Sequence, residues 1–327
     1  MKSRFFSFLR WTPALIFLSP FAAMAAGSAA GTGDSPPAVP PVVEDRKAPL
    51  DYVRLSEDPK STRLEVLVST LTLPDGRMVD LFGVVHLADA AYYKEVNQRL
   101  ATYDAVLFEL IGNPEVLQKK PQSPAPDGPA PRPHPLRTIQ QGIGNVFKLQ
   151  FQLEQIDYTP PHFIHADATT EEFSKMQAER GESMMKLLVK SFQMSGDPAL
   201  QDKFRAAENL GLADLVMLFY SQKTMQRIKV VFARLLADSE EIFESHLLES
   251  DNAIISGRNA VALRKLKEVL EDPDIKRTAI FYGAGHMPSM EGDLIEDWQA
   301  KRTAGIWLPA WVMPPAPESK SLPKTTP

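Results

Sequence analysis

The 327-residue chain contains no cysteine. That one absence excludes disulfides, thiolate metal ligands, a cysteine nucleophile and a lipidated N-terminal cysteine, so stability must come from core packing. Basic charge is scarce as well. Lys and Arg number 36 against 41 Asp and Glu, the net charge is −5, and the positive residues form no run. Nucleic-acid binding draws on clustered cations that neutralise phosphates, so nucleic acid is not an expected partner. A membrane-length apolar run is also missing. The apolar stretch Trp11–Met24 is interrupted by Pro13 and Pro20 and falls short of the roughly 20 residues that a span requires.

What the first residues do contain is an export pattern. Lys2, Arg4 and Arg10 give a basic start, the apolar stretch follows, and Ala22, Ala23, Ala25 and Ala26 supply small residues at its end. This is the pattern of a signal peptide over residues 1–26, cleaved near Ala25 or Ala26; an uncleaved anchor is the alternative. The expected location is secreted or periplasmic, with no stable transmembrane span after cleavage. Residues 27–50, rich in Gly, Ala and Pro, read as a disordered linker. Residues 121–135 hold seven prolines in fifteen positions and read as an extended excursion within one domain. Residues 314–327 read as a disordered tail.

Between these segments the pattern alternates. Leu64–Leu73 and Met78–Val85 flank Pro74-Asp75-Gly76 and predict a β-hairpin. Asp89 is placed to cap a helix over Ala90–Ala101. Asp104–Leu110 predicts a buried strand, Ile139–Ile156 a helix and Phe163–Ala166 another strand. Thr169 and Glu172 have capping-box spacing at the start of a long helical stretch that reaches about Leu270, broken near Gly196–Pro198, Gly211 and Gly257. Ala279–Tyr282 predicts a strand, Ser289–Ala300 a helix and Ile306–Met313 a final strand. The expected fold is α/β over residues 51–313: a mixed central sheet flanked by helices, with a largely helical insertion at about 170–250. Met176, Met184, Met185, Met194, Met217 and Met225 fall in that insertion. They either fill helix contacts or offer an adaptable face for a second copy or an envelope partner.

Chemistry-bearing residues collect at the strand ends. Gly83-Val84-Val85-His86 closes one strand ahead of a helix, and Gly283-Ala284-Gly285-His286 closes another. Carboxyl ends of strands are where α/β clefts form. There a glycine admits close approach, and an imidazole serves as base or metal ligand near neutral pH. Glu109 ends the apolar strand, where burial is unfavourable unless the carboxylate is paired, hydrogen-bonded or bound to a cation. His165 and Asp167 stand at a third strand end, although Asp167 also suits a turn or cap. Arg258 follows Gly257 at a helix start, where it either clamps an anion or sits on the surface. His134, His162 and His246 read as inert.

Gly83-Val84-Val85-His86, Glu109, Arg258-Asn259 and Gly283-Ala284-Gly285-His286 stand in the order found in the TraB/TIKI (TraB/GumN) family, which the chain resembles over roughly residues 64–313 outside the proline-rich excursion and much of the helical insertion. That family shares a superfamily with erythromycin esterase and the haem-binding protein ChaN. The resemblance implies a shared α/β fold and a site built from His86, Glu109, Arg258 and His286. TIKI proteins are regarded as metal-dependent proteases using manganese- or cobalt-type ions, erythromycin esterases activate water on an ester, and ChaN binds haem. The expectation is therefore hydrolysis of a peptide or ester substrate. His86, Glu109 and His286 would hold a divalent metal (Mn, Co or Zn type) or polarise water directly. Arg258 would act as an oxyanion clamp, with Gly83 and Gly283 lining the ligand side; His165 and Asp167 are added to that side from their strand-end position, not from the resemblance. A haem or iron binder, or an envelope scaffold, is the competing expectation.

Overall fold

The structure is a computed structural model describing residues 51–118, 147–182, 221–243 and 252–315. The expected signal peptide, the linker, the proline-rich excursion, most of the tail, His134, His246 and four of the insertion methionines lie outside the described residues.

The hairpin turn sets the first register. Gly76 adopts a φ of +88°, its N–H donates to the Leu73 carbonyl, and the Leu73 N–H donates to Arg77. A side chain at that φ is strained, which is why glycine follows Pro74-Asp75. The flanking strands are β2 (Thr62–Thr72) and β3 (Met78–Val84). Ahead of them lies β1 (Val53–Glu57), which the sequence reading did not anticipate; it pairs antiparallel with the first half of β2. β3 leads through β4 (Leu87–Ala88) into α1 (Ala90–Leu100) and then β5 (Ala105–Phe108). Next come α2 (Glu115–Gln118), β6 (Gln150–Phe151), α3 (Gln152–Gln155), β7 (Phe163–His165), α4 (Thr170–Glu179) and α5 (Gln222–Phe243). A π-helical turn at Ala253–Gly257 runs into α6 (Arg258–Val269), followed by β8 (Arg277–Gly283), α7 (Met287–Glu296) and β9 (Lys301–Met313).

Seven strands form one mixed sheet in the order β1-β2-β3-β8-β5-β7, with β9 on the other edge of β2. β1, β2 and β9 pair antiparallel, while β3, β8, β5 and β7 run parallel. Parallel strands are covered on both faces and therefore read as continuous apolar runs, as in the fully buried Ala105–Phe108. Helices cover the sheet: α5 packs on β1, β2 and β9, α6 on β5, and α7 on β3. The expected mixed sheet flanked by helices is thus the observed fold. The described parts of the insertion, α4 and α5, are helical, and Met225 is buried in the main core. No helix among the described residues is long and apolar enough to cross a membrane.

Three local expectations change. The helix expected over 139–156 is, in its described part, helical at Phe147 and then gives way to a two-residue strand and a single helical turn. Lys148 has a φ of +56°, which a continuing helix excludes, and β6 pairs with β4. Asp89 stands at the N-terminus of α1 without capping it; its carboxylate instead accepts from Lys229 Nζ and the Val312 N–H. β9 begins at Lys301 rather than Ile306, because its pairing with β2 continues past two register shifts. The capping box is formed as expected: Thr169 Oγ1 accepts from the Glu172 N–H, and Glu172 accepts from the Thr169 N–H.

Gly83 is a packing glycine. A Cβ there would meet Tyr52 Cδ1 at 3.2 Å, the Leu67 carbonyl at 3.3 Å and Ala284 Cα at 3.5 Å. Two of those neighbours are backbone and cannot swing aside. Gly83→Ala is expected to lower stability by about 1–3 kcal/mol through overpacking, measured as a fall in the urea midpoint at unchanged m-value.

Candidate functional site

Four parallel strands deliver four side chains to one end of the sheet. His86 lies two residues past β3, His286 three past β8, Glu109 one past β5 and Asp167 two past β7. The strand order β3-β8-β5-β7 makes those ends neighbours. β3 and β5 are consecutive parallel strands joined through α1, yet β8 is inserted between them. Chain connections there leave in opposite directions, which opens a crevice.

Arg258 holds the group together from α6. Its Nε–H donates to Asp167 Oδ1 at 2.9 Å, and Nη2 donates to Asp167 Oδ2 at 2.6 Å and to Glu109 Oε1 at 2.5 Å. Nη1 lies 3.2 Å from His286 Nε2. Four of the five guanidinium N–H groups are engaged, and Arg258 is only 1% exposed. Neither a surface role nor an open oxyanion clamp suits that placement; the guanidinium is the centre of the cluster. Separate from the main core, Ile111, Ala168, Phe173, Ala253, Ile254 and Ile255 form a small apolar core of their own.

The Glu109 carboxylate closes the arrangement. Its Oε2 accepts from the Gly283 N–H at 2.6 Å, so the end of β5 is stitched to the end of β8. Burial alone would raise this carboxyl. The Arg258 charge, the two imidazoles and the Gly283 N–H outweigh that effect and hold it down at about 2. Burial would likewise lower Arg258, but Asp167 and Glu109 raise it well above its ordinary value. Burial, with the Asp167 charge next, raises Tyr282. Its neutral hydroxyl donates to the Ala166 carbonyl, tying β8 to the segment that carries Asp167.

The two motif histidines differ. His286 is 5% exposed, and the Asn259 side chain fixes its tautomer. Asn259 Nδ2 faces the His286 carbonyl at 3.3 Å, and a carbonyl only accepts. Asn259 Oδ1 therefore accepts from the His286 Nδ1–H at 2.7 Å, which leaves Nε2 bare to accept from Arg258. Burial foremost lowers the His286 pKa to about 3, so the ring is neutral. His86 is half-buried, and its Nδ1 lies 2.9 Å from Gln152 Oε1. The backbone around it is pinned by Tyr93 Oη on Val85, the Gln152 N–H on His86 and Trp311 Nε1 on Leu87.

Gly283 leaves the space that these groups share. A methyl placed on it would lie 3.3 Å from Glu109 Oε2, 3.8 Å from His86 Nε2 and 3.8 Å from His286 Cδ2. Among the expected residues, His86, Glu109, Asp167, Arg258, His286 and Gly283 are therefore brought together. Gly83 faces the core, as described above. His165 turns aside: its Nε2 lies 2.7 Å from the Leu110 carbonyl and its ring packs on Phe108. His162 reaches the Leu100 carbonyl. Gln152 and Asn259 are the functional partners that motif reading did not assign. Asn259 stood in the Arg258-Asn259 motif without a role of its own, and Gln152 lay within a segment expected to be a continuous helix.

The donor set suits a divalent metal poorly in this arrangement. Glu109 already accepts on both oxygens, and the His286 Nε2 lone pair is aimed at a guanidinium. Among the described residues, no group of three or more His, Asp or Glu side chains is disposed to hold an ion. No protein-family profile, curated protein or solved structure matches this chain.

The low His286 value has a thermodynamic consequence. Its ordinary value is 6.5, so below that pH the unfolded chain takes up a proton that the folded chain refuses. The stabilisation is complete above pH 6.5 and declines as the pH falls toward about 3, by up to about 1.4 kcal/mol per pH unit per proton. Urea titrations at pH 4, 5, 6 and 7 are expected to show this acid slope, and His286→Gln is expected to flatten it. A variant with the wild-type slope would mean that the folded ring accepts the proton.

Proposed function

We propose that the chain is an exported hydrolase that activates water with His86 to cleave an amide or ester bond. The observation that carries this reading is the position of His86 Nε2. It faces the space over Gly283 beside the Glu109 carboxylate, while the other imidazole of the cluster has both nitrogens engaged. In this reading His86 takes a proton from water as the oxygen attacks the substrate carbonyl, and then returns it to the leaving group.

The cluster's charge supports the same assignment. Two carboxylates face one guanidinium and His286 is neutral, so one negative charge is left over. A proton taken up by His86 in the transition state lies beside that excess, where the Glu109 carboxylate faces the developing positive charge. Arg258 then acts by holding Glu109 and His286 rather than by touching substrate. The order of the motifs and the parallel strand ends supporting them are in keeping with the resemblance to the TraB/TIKI family. The export assignment rests on the basic and apolar pattern of residues 1–26. His86 acts on water directly, because Glu109 and His286 are already engaged by Arg258 and the Gly283 N–H.

The test is turnover of an ester and peptide panel by wild type, His86→Gln and Gly283→Ala. His86→Gln is expected to lose about 10²- to 10⁴-fold in kcat, with an unchanged urea midpoint. Gly283→Ala fills the shared space and is expected to lose most activity as well. Wild-type rates should survive EDTA dialysis. Activity lost on dialysis and restored by Mn, Co or Zn would reinstate the metal reading. No turnover combined with a Soret band on haem titration would replace hydrolysis with haem binding.

A further inference from the structure

We infer that Gln152 is a positioning residue that holds the His86 ring with its Nδ1 protonated and its Nε2 bare toward the site. The inference rests on His86 being the working imidazole of the proposed hydrolase. Its readout is independent of turnover.

Gln152 is 2% exposed and touches His86 twice. Its backbone N–H donates to the His86 carbonyl at 3.0 Å, and its side-chain Oε1 lies 2.9 Å from His86 Nδ1. The other end of the amide, Nε2, donates to the Tyr158 hydroxyl at 3.1 Å. The backbone bond belongs with the short β4–β6 pairing, which lays Phe151 opposite Leu87 and Gln150 opposite Ala88. The residue after Phe151 is thereby brought beside the residue before Leu87. Tyr158 in turn packs its ring on Phe108, the last residue of β5 before Glu109. Gln152 therefore refers the His86 ring to the same strand end that places the carboxylate.

The amide has two self-consistent orientations, and chemistry selects between them. With Oε1 toward the ring, Nδ1 is the protonated nitrogen and Nε2 carries the lone pair. With the amide turned over, the NH2 group would donate to a bare Nδ1, the Tyr158 hydroxyl would donate to Oε1, and Nε2 would carry the proton. Only the first survives proton uptake. Imidazolium has N–H on both nitrogens, so a reversed amide would set two donors against each other. An oxygen at Nδ1 serves the neutral and the protonated ring without movement, the preorganisation that catalysis rewards. A neutral acceptor also avoids adding a third carboxylate to a cluster already one negative charge in excess.

The experiment uses the full chain, isotopically labelled, with wild type, Gln152→Leu and Gln152→Glu. Long-range 1H–15N correlation on wild type at a pH where the ring is neutral should show His86 Nδ1 as the protonated nitrogen. Gln152→Leu keeps the backbone bond, so its urea midpoint should stay near that of wild type. Its His86 spectrum should move to the other tautomer or a mixture, and kcat should fall about 10- to 100-fold with little change in KM. Gln152→Glu should restore the Nδ1–H form and recover part of kcat. Wild-type His86 carrying its proton on Nε2, or a Leu variant with an unchanged tautomer, would overturn the inference. A correct tautomer in a protein that turns over nothing would leave the positioning intact and defeat the hydrolase reading instead.

Discussion

The contact between Arg258 and its two carboxylates is what the rest of the site depends on. Glu109 follows β5 and Asp167 follows β7, and each sits in surroundings where an unpaired charge is strongly unfavourable. Without the guanidinium they would be two buried like charges on adjacent strand ends. With it they are bridged by a planar fork that matches carboxylate geometry. Such pairs add little net stability compared with apolar packing, but removing one partner destabilises by about 3–5 kcal/mol. The cluster is better understood as a device for placing groups than as a source of stability. It fixes Glu109 against Gly283, fixes His286 Nε2 against Arg258, and leaves His86 Nε2 without a hydrogen-bond partner among the described residues.

The division of labour between the two histidines follows from small differences in what surrounds them. Both sit just past a parallel strand, in the same Gly-x-x-His spacing. His286 is followed directly by α7 and faces α6, so Asn259 and Arg258 reach its two nitrogens. His86 is followed by β4, which pairs with β6, and among the described residues its ring is hydrogen-bonded on the Nδ1 side, by Gln152. One ring is locked as a neutral acceptor; the other presents a lone pair to the space that Gly283 keeps clear. The glycines split in the same way. Gly83 is small because Tyr52 and the Leu67 backbone crowd it, Gly283 because three functional side chains do.

Much of this was legible in residue order, and what was not has identifiable causes. Apolar runs ending in Gly-x-x-His, in Glu109 and in Asp167 announce strand ends, because buried parallel strands are apolar throughout. That these ends are neighbours depends on β8 entering between β3 and β5, a pairing across about half the chain that local pattern does not encode. Gln152 was hidden because Lys148, with its positive φ, ends the expected helix, and no propensity rule demands that of a lysine. Asp89 has the residue type of a helix cap but is drawn away by Lys229 and the Val312 N–H. Tertiary partners there outweigh a local preference of about 1 kcal/mol. The Thr169 capping box, with no such competitor, forms as its spacing predicts.

The placement of the segment that carries His86 in turn depends on the far end of the chain. β9 runs the whole length of β2, and Trp311, fully buried, donates its indole N–H to Leu87 one residue past His86. Lys229 from α5 and Asp89 meet at the same place, with the Val312 N–H completing the carboxylate's bonds. The segment bearing His86 is therefore held from β9, α1, α5 and Gln152 at once, while the ring itself stays half-open. Rigid backbone beneath a single accessible nitrogen is the condition under which a modest base becomes effective, since no reorganisation is required when charge develops. A ligand carrier could tolerate a looser loop. In the proposed hydrolase, the density of bonds around one half-exposed imidazole would hold the proton acceptor at a fixed atom.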